Sequence, residues 1–246
     1  MANFSTDEDL LKYEPRLFTV EQHPSQKLSA GADGVVSHSG GVVKFNSATG
    51  AFVNAGMTSG HVVYLFKSSG STVYFDQALP VAAVKSASGL TLEAKTAACP
   101  SATSVTYRVC TFDPQHENMH FELMEHFSLD DGDLDTDNDE ADLYNRRQLR
   151  DVSTFGVLES VYYGQAKHPD DANWAKASGY RLRYETALNR VKLQLDTDAD
   201  SNPDVTKRGG SVRLIVGGSG DAWPTQSFST PGNLSRDVDS TEDAKS

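Results

Sequence analysis

The chain has 246 residues, 38% of them hydrophobic, and its 34 acids outnumber 22 lysines and arginines for a formal charge of -12. That length allows one large domain or two small ones, and the acidic excess argues against a general nucleic-acid binder, because nothing neutralises phosphates in bulk. No run approaches the roughly 18 apolar residues of a membrane helix, and MANFSTDEDLL lacks a basic region ahead of an apolar core, so neither a span nor a signal peptide is expected.

The first predicted element is a short amphipathic helix. Ser5 and Glu8 have capping-box spacing, Leu10, Leu11 and Tyr13 supply apolar contacts, and Pro15 stops or bends the turn. Residues 29–112 then hold only three acids and five bases, and are rich in Gly, Ser, Thr, Ala and Val. GVVKF, HVVYLF, STVYFD, GLTLEAK and VTYRVCTF read as short strands, separated by the turn chemistry of NSATG, KSSGS and KSASG. Their spacing predicts a small β-barrel or sandwich. Cys99 and Cys110 are too few for a disulfide framework; a bridge is possible, but two reduced thiols are the expectation in a chain without a secretion signal.

From residue 113 to 207 the charge changes sharply, to 21 acids against 10 bases. Asp113 offers an N-cap and Pro114 a first helical position, followed by Met119, Leu123 and Phe127 on one face. A second helical stripe from about Asp142 runs through Leu149, Val152, Phe155, Leu158 and Tyr162, with Arg146, Arg147 and Arg150 on other faces. Asp170 or Asp171 caps a third helix, whose stripe is Trp174, Ala177, Tyr184, Leu188 and Val191, with Tyr180 alongside. The period then switches to two at Val191, Leu193 and Leu195, and SVRLIV supplies a partner strand, so LDTDADSNPD is predicted as the loop of a β-hairpin. After Gly217 the chain has tail composition with Trp223 and Phe228 as apolar anchors, which suits a docking arm or a disordered end.

Three constellations could carry chemistry. His116-Glu117-Asn118-Met119-His120 matches the zinc-protease pattern H-E-x-x-H, in which two histidines one turn apart bind the metal and the glutamate is the base. His126 stands where a longer form puts its third ligand, but Leu123 replaces the glycine that turns the chain, and a continuing helix carries His126 about 120° off the face of His120. The bland reading is a helix face bearing histidines. The run DDGDLDTDNDEAD offers carboxylates at Asp131, Asp133, Asp135, Asp137, Asp139 and Asp142 in EF-hand spacing, yet has Thr136 at the glycine position and the short Asp142 at the last; a solvated acidic loop is expected. Asp196, Asp198 and Asp200 begin like a calcium loop, but Ser201 and Lys207 occupy its sixth and twelfth positions, which excludes a complete EF-hand and leaves a weak cation contact open. No phosphate-binding glycine loop and no nucleophile–base–orienter set can be assembled, so no enzyme and no cofactor are expected.

Several segments, taken in order, resemble the head–tail adaptor (connector or head-completion) proteins of tailed bacteriophages, in the branch with an inserted β domain. STDEDLLKYEPRLF at 5–18 is similar to their opening segment, NAGMTSGHVVYL at 54–65 to a stretch of the β domain, and TFDPQHENMHFELMEHFSL at 111–129 to the helix that follows it. RVKLQLDTDADSNPDVTKRGGSVRLIV resembles the closing hairpin, with Ala199 and Ser201 where glycines are usual. The resemblance implies an α+β fold: a helical-bundle adaptor core with a C-terminal β-hairpin, plus an inserted small β-barrel or sandwich. The implied units are a helical segment at 1–24, the β domain at 25–112, the helical core and hairpin at 113–217, and a docking arm at 218–246. It further implies a homo-oligomeric, usually dodecameric, ring in the virion neck, made in the host cytoplasm. Its partners would be the portal protein and tail-side neck, terminator or tail-tube proteins, with DNA passing through unbound and no membrane contact. In that frame His116 and His120 have no metal role, and Leu10, Leu11, Tyr13, Arg146, Arg147, Arg150, Trp223 and Phe228 are the interaction candidates. A zinc metalloprotease and a calcium-dependent adhesion or sugar-binding module are the alternatives.

Overall fold

Alternation of buried and exposed side chains builds the first half of the chain into a closed antiparallel barrel. In the structure, a computed structural model describing residues 3–19, 26–69, 72–129, 139–197 and 201–209, its strands are β1 (Lys27–Ser39), β2 (Val42–Asn46), β3 (Val62–Ser69), β4 (Thr72–Ser86), β5 (Gly89–Leu92) and β6 (Ala102–Cys110), in the order β1-β2-β5-β4-β3-β6. Val43 and Phe45 of β2, Val63 and Leu65 of β3, and Val105, Tyr107 and Val109 of β6 all point inward, as period-two patterning requires. The β1–β2 hairpin turns on Gly40 and Gly41, both at positive φ (62° and 79°), the signature of a tight turn that matches strand twist. Strand β4 serves two neighbours: Thr72–Pro80 pairs with β3, and Val81–Ser86 pairs with β5 across two register shifts.

The five predicted runs all fall on strands, but β1 was not predicted. KLSAGADGVVSHS holds few large apolar residues, and its pairing with β6 is broken by register shifts around Gly31 and Gly34. Such bulges erase the simple alternation that sequence reading depends on. Asp33 in β1 ties this irregular strand to the segment after β2. It accepts hydrogen bonds from the Thr49 amide (2.9 Å), the Ser47 hydroxyl (2.8 Å) and the Thr49 hydroxyl (2.9 Å). These donors, the Thr49 amide foremost, hold its pKa down to about 2, from 3.8. Its contribution to stability is therefore complete above the unfolded value and is lost as pH falls through the folded one. NMR titration of the Asp33 carboxyl is expected to give a midpoint near pH 2; a midpoint at the ordinary aspartate value would refute the three-donor arrangement.

The helices are α1 (Asp7–Tyr13), α2 (Asp113–Phe127), α3 (Gln148–Gln165) and α4 (Ala172–Arg190), with a two-stranded hairpin of β7 (Lys192–Leu195) and β8 (Val205–Arg208). The expected helical-bundle adaptor core is overturned: the largest regular element is the closed six-strand barrel, and the helices do not enclose a core of their own. Both α2 and α4 pack on α3, meeting at Gly156, where any Cβ would collide with Met119 and press on Tyr184. α1 is only seven residues long. The core beside these helices recruits Phe4, Leu17, Phe18, Val62 of β3, Phe112 and the hairpin residues Leu193 and Leu195. The fold is thus mixed α+β, with one apolar core inside the barrel and a second shared by helices, barrel end and hairpin, all within the compact unit Met1–Val212.

Local details also differ from expectation. Thr6, not Ser5, caps α1, with its N–H donating to Asp9 Oδ2 at 3.1 Å; Ser5 is buried instead. Phe112 rather than Asp113 is the N-cap of α2, and Asp171 caps α4 by accepting from the Asn173 amide. α3 begins at Gln148, after a separate turn at Glu140–Asp142. The hairpin partner of β7 is VTKR, paired Lys192↔Arg208 through Leu195↔Val205, and SVRLIV at 211–216 lies outside the described residues. Cys99 is buried and Cys110 half-buried, and no disulfide joins them.

Candidate functional site

Three distant segments converge at the end of the barrel nearest the helices. The first is the entry to α1, the second the turn before β3, and the third the first turn of α2. The Glu8 amide donates to the Gly60 carbonyl (2.9 Å), and the Phe112 amide donates to Asp7 Oδ1 (2.9 Å). The Ser5 hydroxyl bonds with Nδ1 of His116 (2.8 Å) and with the hydroxyl of Ser153 on α3 (2.7 Å). His61 Nε2 lies 2.8 Å from Asp113 Oδ2, and the Thr58 amide donates to His61 Nδ1 at 2.9 Å. Because an amide N–H points at Nδ1, that nitrogen offers its lone pair and Nε2 carries the proton given to Asp113. Burial alone would raise the pKa of Asp113; the hydrogen bond from His61 prevails and holds it below the ordinary value.

These residues border an open pocket of about 570 Å³, lined in part by Asp7, His61, Asp113, Glu117 and His120, with no lysine or arginine among its lining residues. Asp7 is 1% exposed. Its Oδ1 takes the Phe112 amide and stands 3.4 Å from His116 Nε2, while its Oδ2 has no hydrogen-bond partner among the described residues. Asp7, His61 and Asp113 each present a donor atom within 4.8 Å of the others, and they are the group of metal-ligating type that comes together among the described residues.

The HENMH helix contributes to this junction without making the arrangement that a zinc protease uses. His116 is fully buried and tied to Ser5 and Asp7, whereas His120 Nε2 lies 3.4 Å from Glu140 Oε2. His126 is directed elsewhere, 3.3 Å from the Gly209 carbonyl. In the 196–204 loop, Asp196 accepts from the Ser201 amide (2.8 Å), and Ser201 adopts φ 67°, the left-handed conformation that glycine occupies more easily. Asp198 and Asp200 lie outside the described residues, as do Asp131, Asp133, Asp135 and Asp137. Asp139 and Asp142 cap the short turn before α3.

The interaction candidates are placed unevenly. Leu10 is fully buried, Leu11 packs partly buried against the same core, and Tyr13 is 40% exposed with its ring edge-on to Phe155. Arg146 pairs with Glu140 and lies over the Phe4 ring, Arg150 pairs with Asp9, and Arg147 is exposed at the start of α3. Trp223 and Phe228 lie outside the described residues. A further network, unforeseen in the sequence, fastens the end of α1 to α4: Glu14 accepts from Lys176 Nζ (2.9 Å) and the Tyr180 hydroxyl (2.8 Å). Burial, then the neighbouring Glu14, raises the pKa of both Tyr162 and Tyr180.

Sequence reading missed Asp7 and His61 as site residues and took Asp113 only as a cap. The available signal was indirect, since all three lie in the segments quoted for the phage-adaptor resemblance. No family model, curated protein or solved structure matches the chain.

Proposed function

We propose that this protein is a structural subunit of a phage virion, a head–tail adaptor that forms a ring below the portal, extends the DNA channel and joins capsid to tail. One observation carries the reading. The three separated segments that resemble adaptor sequences, at 5–18, 54–65 and 111–129, meet at one junction, through the hydrogen bonds Ser5–His116, Asp7–Phe112, Glu8–Gly60 and His61–Asp113. Residues that recur together in a family for structural reasons are expected to touch, and here they fasten barrel to helices.

Charge and surface are consistent with that role. A formal charge of -12 disfavours phosphate contacts, so DNA would pass without sticking. Phe66 and Tyr74 on the barrel, and Tyr163 and Leu182 on α3 and α4, are exposed apolar side chains of the kind a head-to-tail ring covers. No specific feature favours the protease or the adhesion module over this reading.

Native mass spectrometry and electron microscopy of the purified chain, alone and mixed with the portal of the same virus, test the proposal. The expected result is a closed ring, usually of twelve subunits, formed alone or on the portal. A strict monomer that binds neither portal nor tail component would overturn it.

A further inference from the structure

The junction pocket has a property that fastening barrel to helices does not require. A buried carboxylate oxygen without a partner is costly, because water has been removed and nothing replaces it. Asp7 Oδ2 is such an atom, on a side chain 1% exposed that lines the pocket. A second carboxylate, Asp113, stands close enough that donor atoms of Asp7, His61 and Asp113 all lie within 4.8 Å of one another. That separation is about twice a divalent cation–oxygen distance of roughly 2.1–2.6 Å, so one ion can reach both carboxylates. The pocket supplies further acid in Glu117 and offers no lysine or arginine among its lining residues to neutralise the pair.

We propose that Asp7 and Asp113 bind a hard divalent cation, with Asp7 Oδ2 and the Asp113 carboxylate as direct oxygen ligands and water completing its shell. His61 acts as a positioning residue. Its Nδ1 is engaged by the Thr58 amide, which leaves Nε2–H to fix the Asp113 carboxylate rather than to coordinate the ion. This assignment favours oxygen-preferring ions such as Mg²⁺ or Mn²⁺ over Zn²⁺, which would draw the imidazole into its shell. The ion bridges α1 to α2 beside the β3 turn, and so fastens the helices to the barrel end. The site stands on these residues alone and does not depend on ring assembly.

The test uses the full chain, stripped with EDTA and titrated with MnCl₂ while free Mn²⁺ is followed by electron paramagnetic resonance. The expected result is one site whose affinity falls at least tenfold in both Asp113→Asn and Asp7→Asn, and is unchanged in Asp196→Asn. Asparagine retains the acceptor oxygens that Phe112 and His61 use, and circular dichroism melts establish that each variant is folded. Electron spin-echo measurements on the bound Mn²⁺ are expected to show no directly coordinated nitrogen. Absence of binding at millimolar Mn²⁺, or binding indifferent to both Asp7 and Asp113, overturns the site. A strong nitrogen coupling overturns the positioning role of His61.

Discussion

Replacing Tyr107 with alanine is expected to lower the unfolding free energy by about 3–5 kcal/mol, a large fraction of the roughly 5–15 kcal/mol of a typical domain. Tyr107 is fully buried in the barrel, with its ring centroid 5.1 Å from that of Phe45 and 5.9 Å from that of Phe52. Its hydroxyl shares a hydrogen bond with Ser47 at 3.0 Å, the same serine that donates to Asp33. Removing the ring leaves a cavity at the centre of a closed structure, whose strands are paired on both sides and have little freedom to collapse into it. Tyr107→Phe keeps the ring and loses only the hydroxyl contact, for about 0.5–1.5 kcal/mol. Urea denaturation of the two variants separates packing from hydrogen bonding. An alanine variant within about 1 kcal/mol of the parent would show that the aromatic cluster does not hold the barrel.

The second large effect is expected at the junction. Asp7→Ala removes the acceptor of the Phe112 amide and the carboxylate beside His116, both buried between α1 and α2. Leaving the buried Phe112 amide without a partner costs up to about 3 kcal/mol. Asp7→Asn keeps an acceptor oxygen and is expected to cost about 1 kcal/mol. Denaturation in EDTA measures both without any contribution from bound ions. Equal stability of the two variants would mean that the Phe112 amide does not depend on position 7.

Both predictions concern contacts that no local pattern encodes. The aromatic content of VTYRVCTF and GVVKF was plain, and so was their strand character. That Phe45 and Tyr107 touch follows from β2 and β6 both flanking β1, a strand whose bulges hid it from a period-two reading. The hairpin after α4 was mispaired for a related reason. SVRLIV has the apolar alternation of a buried strand, whereas VTKR, largely exposed, is held to β7 by main-chain hydrogen bonds that leave no mark on hydrophobicity. The HENMH motif was visible because its histidines share one helix. The Asp7–His61–Asp113 cluster was not, because its members come from three elements and each has an ordinary local explanation as helix start, turn or cap.

The sequence by itself determined where most strands and the main helices would form, β1 and β8 excepted, and where charge would concentrate. Those properties depend on residues a few positions apart, through strand alternation and the helical repeat. Only the tertiary structure decided that the strands close into a barrel, that the helices share their core with it instead of forming a bundle, and that Asp7, His61 and Asp113 face one another. The closure of the barrel and the docking of α2 against α1 bring together groups far apart in the chain. Partner choice there is set by packing and by the need to satisfy each buried polar atom, and neither is written in local periodicity.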